Sequence, residues 1–305
     1  MTTRKTRILV TGGAGFVGSH LTELLHGEAD VAVLDDFSRG RREWLPAELS
    51  ETRAVDVREA ADVLQLFSDF RPQCVVHLAA MHFIPAVDDA PELAEAVNVR
   101  GTQNVADAIR QFPVEQIVFA STAAVYPDSP EALSEDDPVG PIDLYGRTKV
   151  AGEAILGEVA ADVGAIATFA RLFNVVGPRE TNPHVVPEII DQVRGGADEV
   201  SLGNVDTKRD FIDVRDVASA LHVLVDRREP GVTACNVGSG STVSPRDTVA
   251  LCAEILGREI TIRLDPARTR KVDRQVLLSD NRQLLSYGWR ARYAFRDTLA
   301  DLLNS

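Results

Sequence analysis

Cysteine is scarce in this chain of 305 residues, with Cys74, Cys235 and Cys252 standing far apart. A sparse, odd-numbered set of cysteines does not build a disulfide framework, so we expect reduced thiols and a cytoplasmic protein. The six histidines include no His-Glu-x-x-His motif and no cluster with cysteine, so the sequence predicts no metal site.

Long apolar runs are missing as well. No window approaches the ~18 uninterrupted apolar residues that a membrane-spanning helix needs. The basic start of the chain is followed by a short apolar stretch, from Ile8 to Val10, that is too brief for the core of a signal peptide. The sequence therefore predicts neither a membrane segment nor a secretory leader.

Basic residues are too few to balance the acidic ones. The chain has 32 Lys and Arg against 46 Asp and Glu, a formal net charge of −14. Such a balance disfavours proteins that coat a nucleic acid or bind an anionic membrane, because both need a basic face. With 45% hydrophobic and 26% charged residues, the composition is that of an ordinary folded globular chain.

What the sequence does contain is a regular alternation of short β-branched runs with longer helical patterns. This alternation is typical of βαβ units and of a parallel sheet covered by helices on both faces. Strands are expected at 7–12, 31–36, 73–80, 116–122 and 165–173, and helices at Gly15–His26, Glu59–Phe70, Ala90–Gln111 and Tyr145–Ala161. The predicted fold class is α/β, a Rossmann-like doubly wound parallel sheet.

The regularity weakens after Phe173, where the expected elements become shorter. We therefore expect a first, dinucleotide-binding domain over residues 1–173 and a smaller C-terminal α/β substrate-binding domain over 174–305. Segments near 210–240 are expected to return to the first domain, since no Pro/Gly/Ser-rich linker separates the two.

A glycine-rich loop, TGGAGFVG at 11–18, follows the first strand and opens the first helix. Without a Cβ, Gly12 can make the tight turn, Gly15 lets the backbone approach a pyrophosphate, and Gly18 lets helix and sheet pack closely. The helix N-terminus then offers N–H groups and partial positive charge to phosphate. The loop therefore predicts a dinucleotide site.

Asp35 lies 17 residues beyond Gly18, at the end of the next strand. A carboxylate at this place accepts the ribose hydroxyls of NAD, and it would repel the 2′-phosphate of NADP. Arg39, Arg41 and Arg42 come next in the loop and are interpreted as solvated charges. The predicted cofactor is NAD.

Asp56 and Val57 end the third strand run, where a carboxylate can reach the adenine amino group. The alternative is that Asp56 caps the helix that begins near Glu59, and one residue can do both. A second glycine cluster, Gly238 to Ser241, lacks a later acidic residue and is interpreted as a turn.

Tyr145 and Lys149 stand four residues apart at the start of a helical pattern, so their side chains share one face. An unperturbed tyrosine, with a pKa of about 10, is a poor base at neutral pH. A nearby ammonium and a positive nicotinamide both stabilise the phenolate. Placed after a dinucleotide loop and the strand end at Thr122, the pair predicts a catalytic base and its lysine.

The residues described so far resemble a family, the extended short-chain dehydrogenase/reductases that act on nucleotide-diphosphate sugars, and most of all its UDP-glucose 4-epimerase-like members. The resemblance covers nearly the whole chain. Its motifs occur in family order: TGGAGFVGSH (11–20), HLAA (77–80), NVRGT (98–102), STAAVY (121–126), YGRTK (145–149), RLFNVVGPR (171–179) and RDFIDVRDVA (209–218).

The resemblance implies roles for individual residues. Thr122 would hydrogen-bond the reacting hydroxyl, Tyr145 would be the general base, and Lys149 would tune that base and hold the nicotinamide ribose. The cofactor-lining positions that it implies are Phe16, Val17, Leu78, Ala79, Ala80, Asn98 and Phe173. The groups that it places around the diphosphate of the sugar nucleotide are Asn174, Arg209 and Arg270, and a dianion does favour the bidentate donors of arginine. For Arg209 the alternative is an ion pair with Asp210 or Asp213.

The reaction within the family depends on the residues immediately after Thr122. Resembling dehydratases and decarboxylases carry a carboxylate two residues later, whereas this chain has Ala123 and Ala124. A methyl group cannot move a proton, so the chain is expected to be an NAD-dependent epimerase, an isomerase acting at C4 of a UDP-hexose through a transient 4-keto sugar. A 4-keto-sugar reductase and, further off, a dehydratase remain alternatives, as does a binding protein with a structural dinucleotide.

Two further expectations come from the sequence. His82 stands after HLAA on the expected sugar side, where it is either an additional acid/base or a histidine hydrogen-bonded beside the cofactor. The helices at Ala90–Gln111 and Tyr145–Ala161 resemble the pair by which the family forms dimers, so a homodimer is expected.

Overall fold

The structure, a computed structural model, describes residues 5–268 and 274–305. Its strands alternate with helices along most of the chain. The strands are β1 (Arg7–Thr11), β2 (Asp30–Asp35), β3 (Glu51–Ala54), β4 (Cys74–His77), β5 (Gln116–Thr122), β6 (Ile166–Leu172), β7 (Asn174–Val176), β8 (Glu199–Leu202), β9 (Lys208–Arg209), β10 (Phe211–Asp213), β11 (Val232–Val237), β12 (Thr261–Leu264) and β13 (Val276–Leu277).

The α-helices differ widely in length, and α6 is the longest among those described. They are α1 (Phe16–His26), α2 (Ala60–Phe70), α3 (Ile84–Asp89), α4 (Pro91–Glu95), α5 (Gly101–Gln111), α6 (Leu144–Val163), α7 (Val185–Arg194), α8 (Val214–Asp226), α9 (Pro245–Leu256), α10 (Arg282–Ser286) and α11 (Phe295–Asn304). Short 3₁₀ turns lie at Arg42–Trp44, Ala123–Val125 and Pro266–Arg268, and a π-helical turn lies at Ala96–Arg100. None of the described helices combines the length and the apolar character that crossing a membrane requires.

Seven strands form one sheet in the order β11-β6-β5-β4-β1-β2-β3. The pairs from β6 to β3 are all parallel. The strand order reverses between β1 and β4, and in open α/β sheets the crevice outside the carboxyl ends of such strands is where ligands bind. The predicted Rossmann-like doubly wound fold is confirmed.

The chain divides into two compact units. The first contains residues 5–127, 138–172 and 218–235, and the second contains 128–137, 173–217 and 236–305 apart from the undescribed 269–273. The short segment 128–137 joins the second unit through a parallel bridge between Leu133 and Ser279, which the sequence did not suggest. The functions assigned to the two expected domains stay predictions.

Helix α6 packs closely on the sheet of the first unit. It begins after Asp143, whose carboxylate accepts the Gly146 N–H at 2.6 Å, and ends at Gly164 in the left-handed conformation. A Cβ on Gly152 would lie 2.7 Å from the Phe119 ring, so only glycine allows this approach of α6 to β5. The close approach holds the Tyr145 end of α6 against the end of β5.

The second unit has its own core and its own short sheets. Strands pair in parallel as β10 with β7, β12 with β8, and β13 with β9. Phe211 stacks on Phe295 at 5.1 Å between ring centroids, and Ser244 with Asp247 forms a capping box that begins α9. The buried core of this unit includes Val186, Ile189, Val193, Val200, Leu202, Val249 and Leu299.

The helix predicted over Ala90–Gln111 is confirmed from Pro91 to Gln111, where α4, the π-helical turn and α5 follow one another without a gap. The turn accommodates a close approach, since a Cβ on Gly101 would lie 2.6 Å from Val57. Asp56 does not cap α2, because β3 ends already at Ala54 and Glu59 occupies the N-cap position.

Candidate active site

The glycine-rich loop leaves β1 through a turn that only glycine suits. Gly12 has φ +69°, and a Cβ there would lie 2.8 Å from the Ala79 nitrogen. A Cβ on Gly18 would lie 2.0 Å from the Gly12 carbonyl oxygen. Backbone from the loop and from the segment after β4 can therefore approach each other only without side chains at these positions.

Helix α1 begins immediately after Gly15, so its N-terminus lies at the glycine-rich loop. Phe16 and Gly18 are buried, Val17 is half-buried, and the Ser19 N–H donates to the Gly15 carbonyl at 2.9 Å. The N–H groups of a first helical turn have no partner within the helix, so they are available to phosphate oxygens.

Asp35 is buried at the end of β2, where it ties two loops together. Its carboxylate accepts the Ala14 N–H at 2.9 Å and the Phe37 N–H at 2.8 Å. Burial raises the pKa of Asp35, and the two backbone N–H donors oppose that shift. A carboxylate has about four acceptor positions, so this one can still accept two ribose hydroxyls.

Asp56 and Val57 lie in the segment between β3 and α2. The Asp56 carboxylate binds the Arg58 guanidinium, which lowers the pKa of Asp56. Val57 is buried in the core of the first unit, and its carbonyl accepts the Asn104 amide at 2.9 Å. The adenine contacts assigned to Asp56 and Val57 stay predictions.

The segment after β4 contains the next predicted cofactor-lining residues. Leu78, Ala79 and Ala80 are half-buried, and His82 lies beyond them before α3. Asn98, in the π-helical turn, holds this segment: its amide accepts the Met81 N–H at 2.7 Å and donates to the Met81 carbonyl at 2.9 Å. Asn98 therefore shapes the segment through Met81, and both interpretations of His82 stay open.

These features of the first unit fit a dinucleotide. A cradle that side chains would fill is kept open by glycines, a helix N-terminus faces it, and a buried carboxylate with spare acceptor positions stands at the end of the next strand. The residues that would hold NAD are thus Gly12, Gly15, Gly18 and Asp35.

Thr122, Tyr145 and Lys149 come together at the end of β5. The Tyr145 hydroxyl shares a hydrogen bond with the Thr122 hydroxyl. The Lys149 ammonium donates to the Ala120 carbonyl at 2.8 Å and lies 5.9 Å from the centroid of the Tyr145 ring. The arrangement places one hydroxyl beside one phenol, with one ammonium near the phenol ring, which is the set that proton transfer from a hydroxyl requires.

Burial affects the pKa of the phenol and of the ammonium in opposite directions. It raises the pKa of Tyr145, against which the hydrogen bond from Thr122 acts. It lowers the pKa of Lys149 to about 7, against which the Glu153 carboxylate acts. The hydrogen bond with Thr122 is thus the contact that lowers the pKa of Tyr145, and the effect of Lys149 on that pKa stays a prediction.

A buried ion pair behind this trio was missed by the sequence analysis. Arg171 on β6 binds both oxygens of Glu153 on α6, at 3.1 Å and 2.9 Å, and donates to the Tyr126 hydroxyl at 3.0 Å. Ser121, next to Thr122, donates to Glu153 at 2.5 Å. The spacing offered a signal, because Glu153 lies one helical turn beyond Lys149.

The second unit contains the remaining predicted substrate residues. Asn174 begins β7, and its buried Oδ1 accepts no hydrogen bond in the described part of the chain. The Arg209 guanidinium donates to the Lys208 carbonyl at 2.9 Å. Phe173, a predicted cofactor-lining residue, also lies in this unit, and its N–H donates to the Val237 carbonyl at 3.0 Å. Arg270 lies outside the described residues. A buried acceptor without a donor is what a site for a hydroxyl-rich ligand would contain.

Asp210 connects these substrate residues. Its backbone carbonyl accepts the Asn174 N–H at 3.0 Å, and its carboxylate accepts hydrogen bonds from the N–H and hydroxyl groups of Ser239 and Ser279 and from the Gly240 N–H. The glycine cluster at 238–241 is thus a turn, as expected, but its N–H groups bind the Asp210 carboxylate.

Known proteins resemble this chain in sequence and in structure. The chain is 32% identical over 280 residues to the UDP-glucose 4-epimerase of Corynebacterium glutamicum, covering 86% of this chain and 84% of that protein. It superposes on the UDP-glucose 4-epimerase of Thermus thermophilus, solved in complex with NAD, with a TM-score of 0.89, 32% identity and 98% of each chain covered. It superposes on a UDP-N-acetylglucosamine 4-epimerase from Methanobrevibacter ruminantium with a TM-score of 0.87, 25% identity, and 99% and 98% covered.

A family model gives the same answer from the sequence alone. The model of the NAD dependent epimerase/dehydratase family matches residues 8–238, which include the glycine-rich loop, Thr122, Tyr145 and Lys149. The predicted resemblance and the predicted class of enzyme, an NAD-dependent epimerase, are confirmed by these matches. The chain belongs to the NAD-dependent epimerase/dehydratase family.

Proposed function

We propose that this protein is an NAD-dependent epimerase of a nucleotide-diphosphate sugar, acting at C4 of a UDP-hexose. The observation that carries the proposal is the trio of Thr122, Tyr145 and Lys149 together with Ala123 and Ala124 directly after Thr122. The trio supplies a base for a sugar hydroxyl, and the two alanines supply no further acid or base.

The reaction starts with transfer of a proton from the C4 hydroxyl to the Tyr145 oxygen. Thr122 donates its hydrogen bond to the phenolate form of Tyr145 and can exchange that partner for the sugar oxygen. When bound, NAD supplies the acceptor and then the donor of the hydride at C4. Tyr145 holds the proton meanwhile and returns it to the C4 oxygen after the keto sugar has turned its other face.

Lys149 keeps this proton transfer reversible. Its hydrogen bond to the Ala120 carbonyl fixes the ammonium beneath the Tyr145 ring, where the positive charge favours the phenolate when the lysine is protonated. Burial lowers the pKa of Lys149 to about 7, and the Glu153 carboxylate one turn further along α6 favours the charged form.

Elimination of water across the sugar needs a second proton carrier, and the two positions directly after Thr122 do not supply one. Ala123 and Ala124 form a 3₁₀ turn after Thr122, and the Ala124 N–H is bonded to the Thr122 hydroxyl at 3.2 Å. Methyl side chains at these positions cannot deprotonate C5. Return of the hydride to C4, which needs no further base, is therefore the outcome that the residues support.

The sugar nucleotide is held by residues of the second unit in this proposal. The buried Oδ1 of Asn174 accepts a hydroxyl of the ligand, and Arg209, together with Arg270, binds the diphosphate. The similarity to proteins named UDP-glucose 4-epimerase supports uracil as the base.

The test uses purified protein with no added cofactor. UDP-glucose, UDP-galactose and their N-acetyl forms are supplied in excess, and the stereochemistry of the product is read by proton NMR. A C4 epimer formed over many turnovers is the expected result, since a retained NAD is regenerated in each cycle. Turnover only with added NADH and a keto sugar would make the protein a reductase and overturn the proposal.

Two finer properties belong to the same proposal, a homodimer and a cytoplasmic location. The homodimer is proposed from the resemblance of the helices at Ala90–Gln111 and Tyr145–Ala161 to the pair by which the family forms dimers, and Leu93 in the first of them is 41% exposed. Light scattering after size-exclusion chromatography tests the dimer, and Leu93→Glu is expected to shift it toward monomer.

The cytoplasmic location is supported by the cysteines. Cys74, Cys235 and Cys252 are free thiols, as expected in a reducing compartment.

A further inference from the structure

A chain of buried polar side chains runs beneath the glycine-rich loop, and the mechanism does not use its central member, His77. His77 ends β4, is fully buried, and stacks on Phe119 at 5.5 Å between ring centroids. Its Nδ1 lies 2.6 Å from the Thr11 hydroxyl and its Nε2 lies 2.9 Å from the Thr102 hydroxyl. The imidazole thus joins β1 to α5 through two hydroxyls.

The neighbours of the two threonines fix the direction of every hydrogen bond. The Thr102 hydroxyl donates to the Asn98 carbonyl at 2.6 Å, so it can only accept from His77, and Nε2 bears the proton. Nδ1 is then an acceptor, and Thr11 donates to it. The Thr11 oxygen in turn accepts the Ala79 N–H at 3.3 Å.

Both ends of this chain hold the segment that comes after β4. One end is the Ala79 N–H, and Ala79 is the residue against which Gly12 packs. The other end is Asn98, whose amide binds the N–H and the carbonyl of Met81. The segment that carries Leu78, Ala79 and Ala80 is therefore held on both sides by groups that meet at His77.

The same chain of hydrogen bonds continues to α6, the helix that carries Tyr145 and Lys149. The Asn98 amide donates to the Thr148 hydroxyl at 3.0 Å, and Thr148 donates to the Tyr145 carbonyl at 2.8 Å. Both N–H donors and the carbonyl oxygen of the Asn98 amide are thereby used. The position of the segment after β4 and the start of α6 are thus linked through one set of directed hydrogen bonds.

We infer that His77 is a positioning residue for the cofactor: a neutral imidazole with its proton fixed on Nε2 sets the distance between the glycine-rich loop, the segment 78–81 and the Tyr145 end of α6. The inference rests on the proposed NAD site. His77 touches neither the reacting atoms nor the sugar, and it acts through Thr11, Thr102 and Asn98.

Only a side chain with one donor and one acceptor on opposite sides can complete this chain of hydrogen bonds. An imidazolium would present two donors, and Thr11, already accepting from Ala79, would be left with no acceptor for its own proton. Burial lowers the pKa of His77, the Lys149 ammonium that faces it lowers the pKa further, and the Phe119 ring covers one face of the imidazole. The neutral form with the Nε2 proton is thereby held across the working pH range.

The first test reads the tautomer directly. Protein labelled with ¹⁵N at the histidine rings is compared with the His77→Gln variant to assign the His77 signals. A protonated Nε2 and an unprotonated Nδ1, unchanged between about pH 5 and pH 9, is the expected result. A proton on Nδ1, or titration near neutral pH, would overturn the inference without bearing on the epimerase proposal.

The second test separates positioning from stability. His77→Phe keeps the ring but removes both hydrogen bonds, His77→Gln keeps one donor and one acceptor, and Val76→Ala removes only packing from the adjacent buried position. We expect His77→Phe to weaken NAD binding at least about tenfold, His77→Gln to restore part of it, and Val76→Ala to lower the melting temperature with NAD affinity unchanged.

The readouts are the NAD retained through purification, titration with NAD, and the rise in melting temperature that NAD produces. If the His77→Phe variant bound NAD as tightly as the protein without substitutions, the inference would be contradicted. If His77→Phe does not fold, the comparison of His77→Gln with Val76→Ala decides. NAD bound normally with no epimerisation would refute the proposed reaction and leave the role of His77 standing.

Discussion

Two buried carboxylates of this protein, Glu153 in the first unit and Asp210 in the second, are stabilised by different means. Glu153 of the first unit binds the Arg171 guanidinium through both oxygens and accepts from Ser121. Asp210 of the second unit accepts five hydrogen bonds from Ser239, Gly240 and Ser279. The first is an ion pair, and the second is an anion surrounded by backbone and hydroxyl dipoles.

The difference affects what each carboxylate can control. An ion pair leaves an uncompensated buried charge when either partner is lost, whereas dipoles divide the same charge among several groups. Glu153 lies one turn from Lys149, and Asp210 is bonded through its backbone to Asn174. We therefore expect changes at the first carboxylate to alter the chemical step and changes at the second to alter substrate affinity.

The largest effect is expected at Tyr145, the proposed proton acceptor, and it is the reference for the smaller effects expected in both units. Tyr145→Phe removes the proton acceptor but keeps the ring over Lys149. We expect kcat to fall about 10³-fold or more, with NAD and UDP still bound. Tyr293→Phe, a partly exposed tyrosine of the second unit, is the matched control and should keep its turnover. Full turnover in Tyr145→Phe would restore the alternative of a binding protein with a structural dinucleotide.

Breaking the ion pair is expected to have the next largest effect. Arg171→Met leaves Glu153 buried without its partner, which should lower the free energy of unfolding by about 3–5 kcal/mol. The double variant with Glu153→Gln removes both charges and should recover most of that loss. Denaturant unfolding of the two single variants and the double variant measures the coupling. Additive losses would mean that the pair does not act as a unit.

Asp210→Asn should cost less and act on the substrate. The amide keeps one acceptor oxygen and turns its NH₂ toward donors, which should lower the free energy of unfolding by about 1–3 kcal/mol. Because Asp210 holds the backbone beside Asn174 and Arg209, we expect a higher KM for the sugar nucleotide and a kcat that changes little. A fall in kcat at unchanged KM would reverse the contrast between the units.

Asp210 also shows where sequence reasoning stops. The alternating pattern predicts the sheet and α6, and the motifs predict Thr122, Tyr145 and Lys149, because local spacing carries that information. The partners Ser239 and Ser279 of Asp210 are 29 and 69 residues away along the chain, and no local period relates them. The π-helical turn at Asn98 was not predicted for the same reason. Gly101, which follows the turn, packs against the side chain of Val57, a residue distant in the sequence.

An effect spread over several pH units is expected in the pH dependence of stability. The pKa of Lys149 is about 7 in the folded protein and 10.5 as its ordinary value. Between these values the unfolded chain binds more protons, so the free energy of unfolding rises with pH, by up to about 1.4 kcal/mol per pH unit from this residue. Lys149→Met should lack that slope. Equal slopes in the two proteins between pH 7 and pH 10.5 would show that Glu153 keeps the buried lysine charged throughout.

The smallest effect is expected at a carboxylate of the second unit that is not buried. Asp206 pairs with Arg246 at 2.9 Å, but the two side chains are 76% and 54% exposed. Water and salt screen such a pair, and holding two long side chains together costs entropy, so Asp206→Asn should leave both stability and KM unchanged. The substitution is chemically the same as Asp210→Asn and lies four residues away. If both variants raised KM alike, the hydrogen bonds of Asp210 would not be the cause, and neither would charge, because losing a negative charge near the diphosphate should lower KM. If only Asp210→Asn does so, the cause is the set of hydrogen bonds that its buried carboxylate accepts.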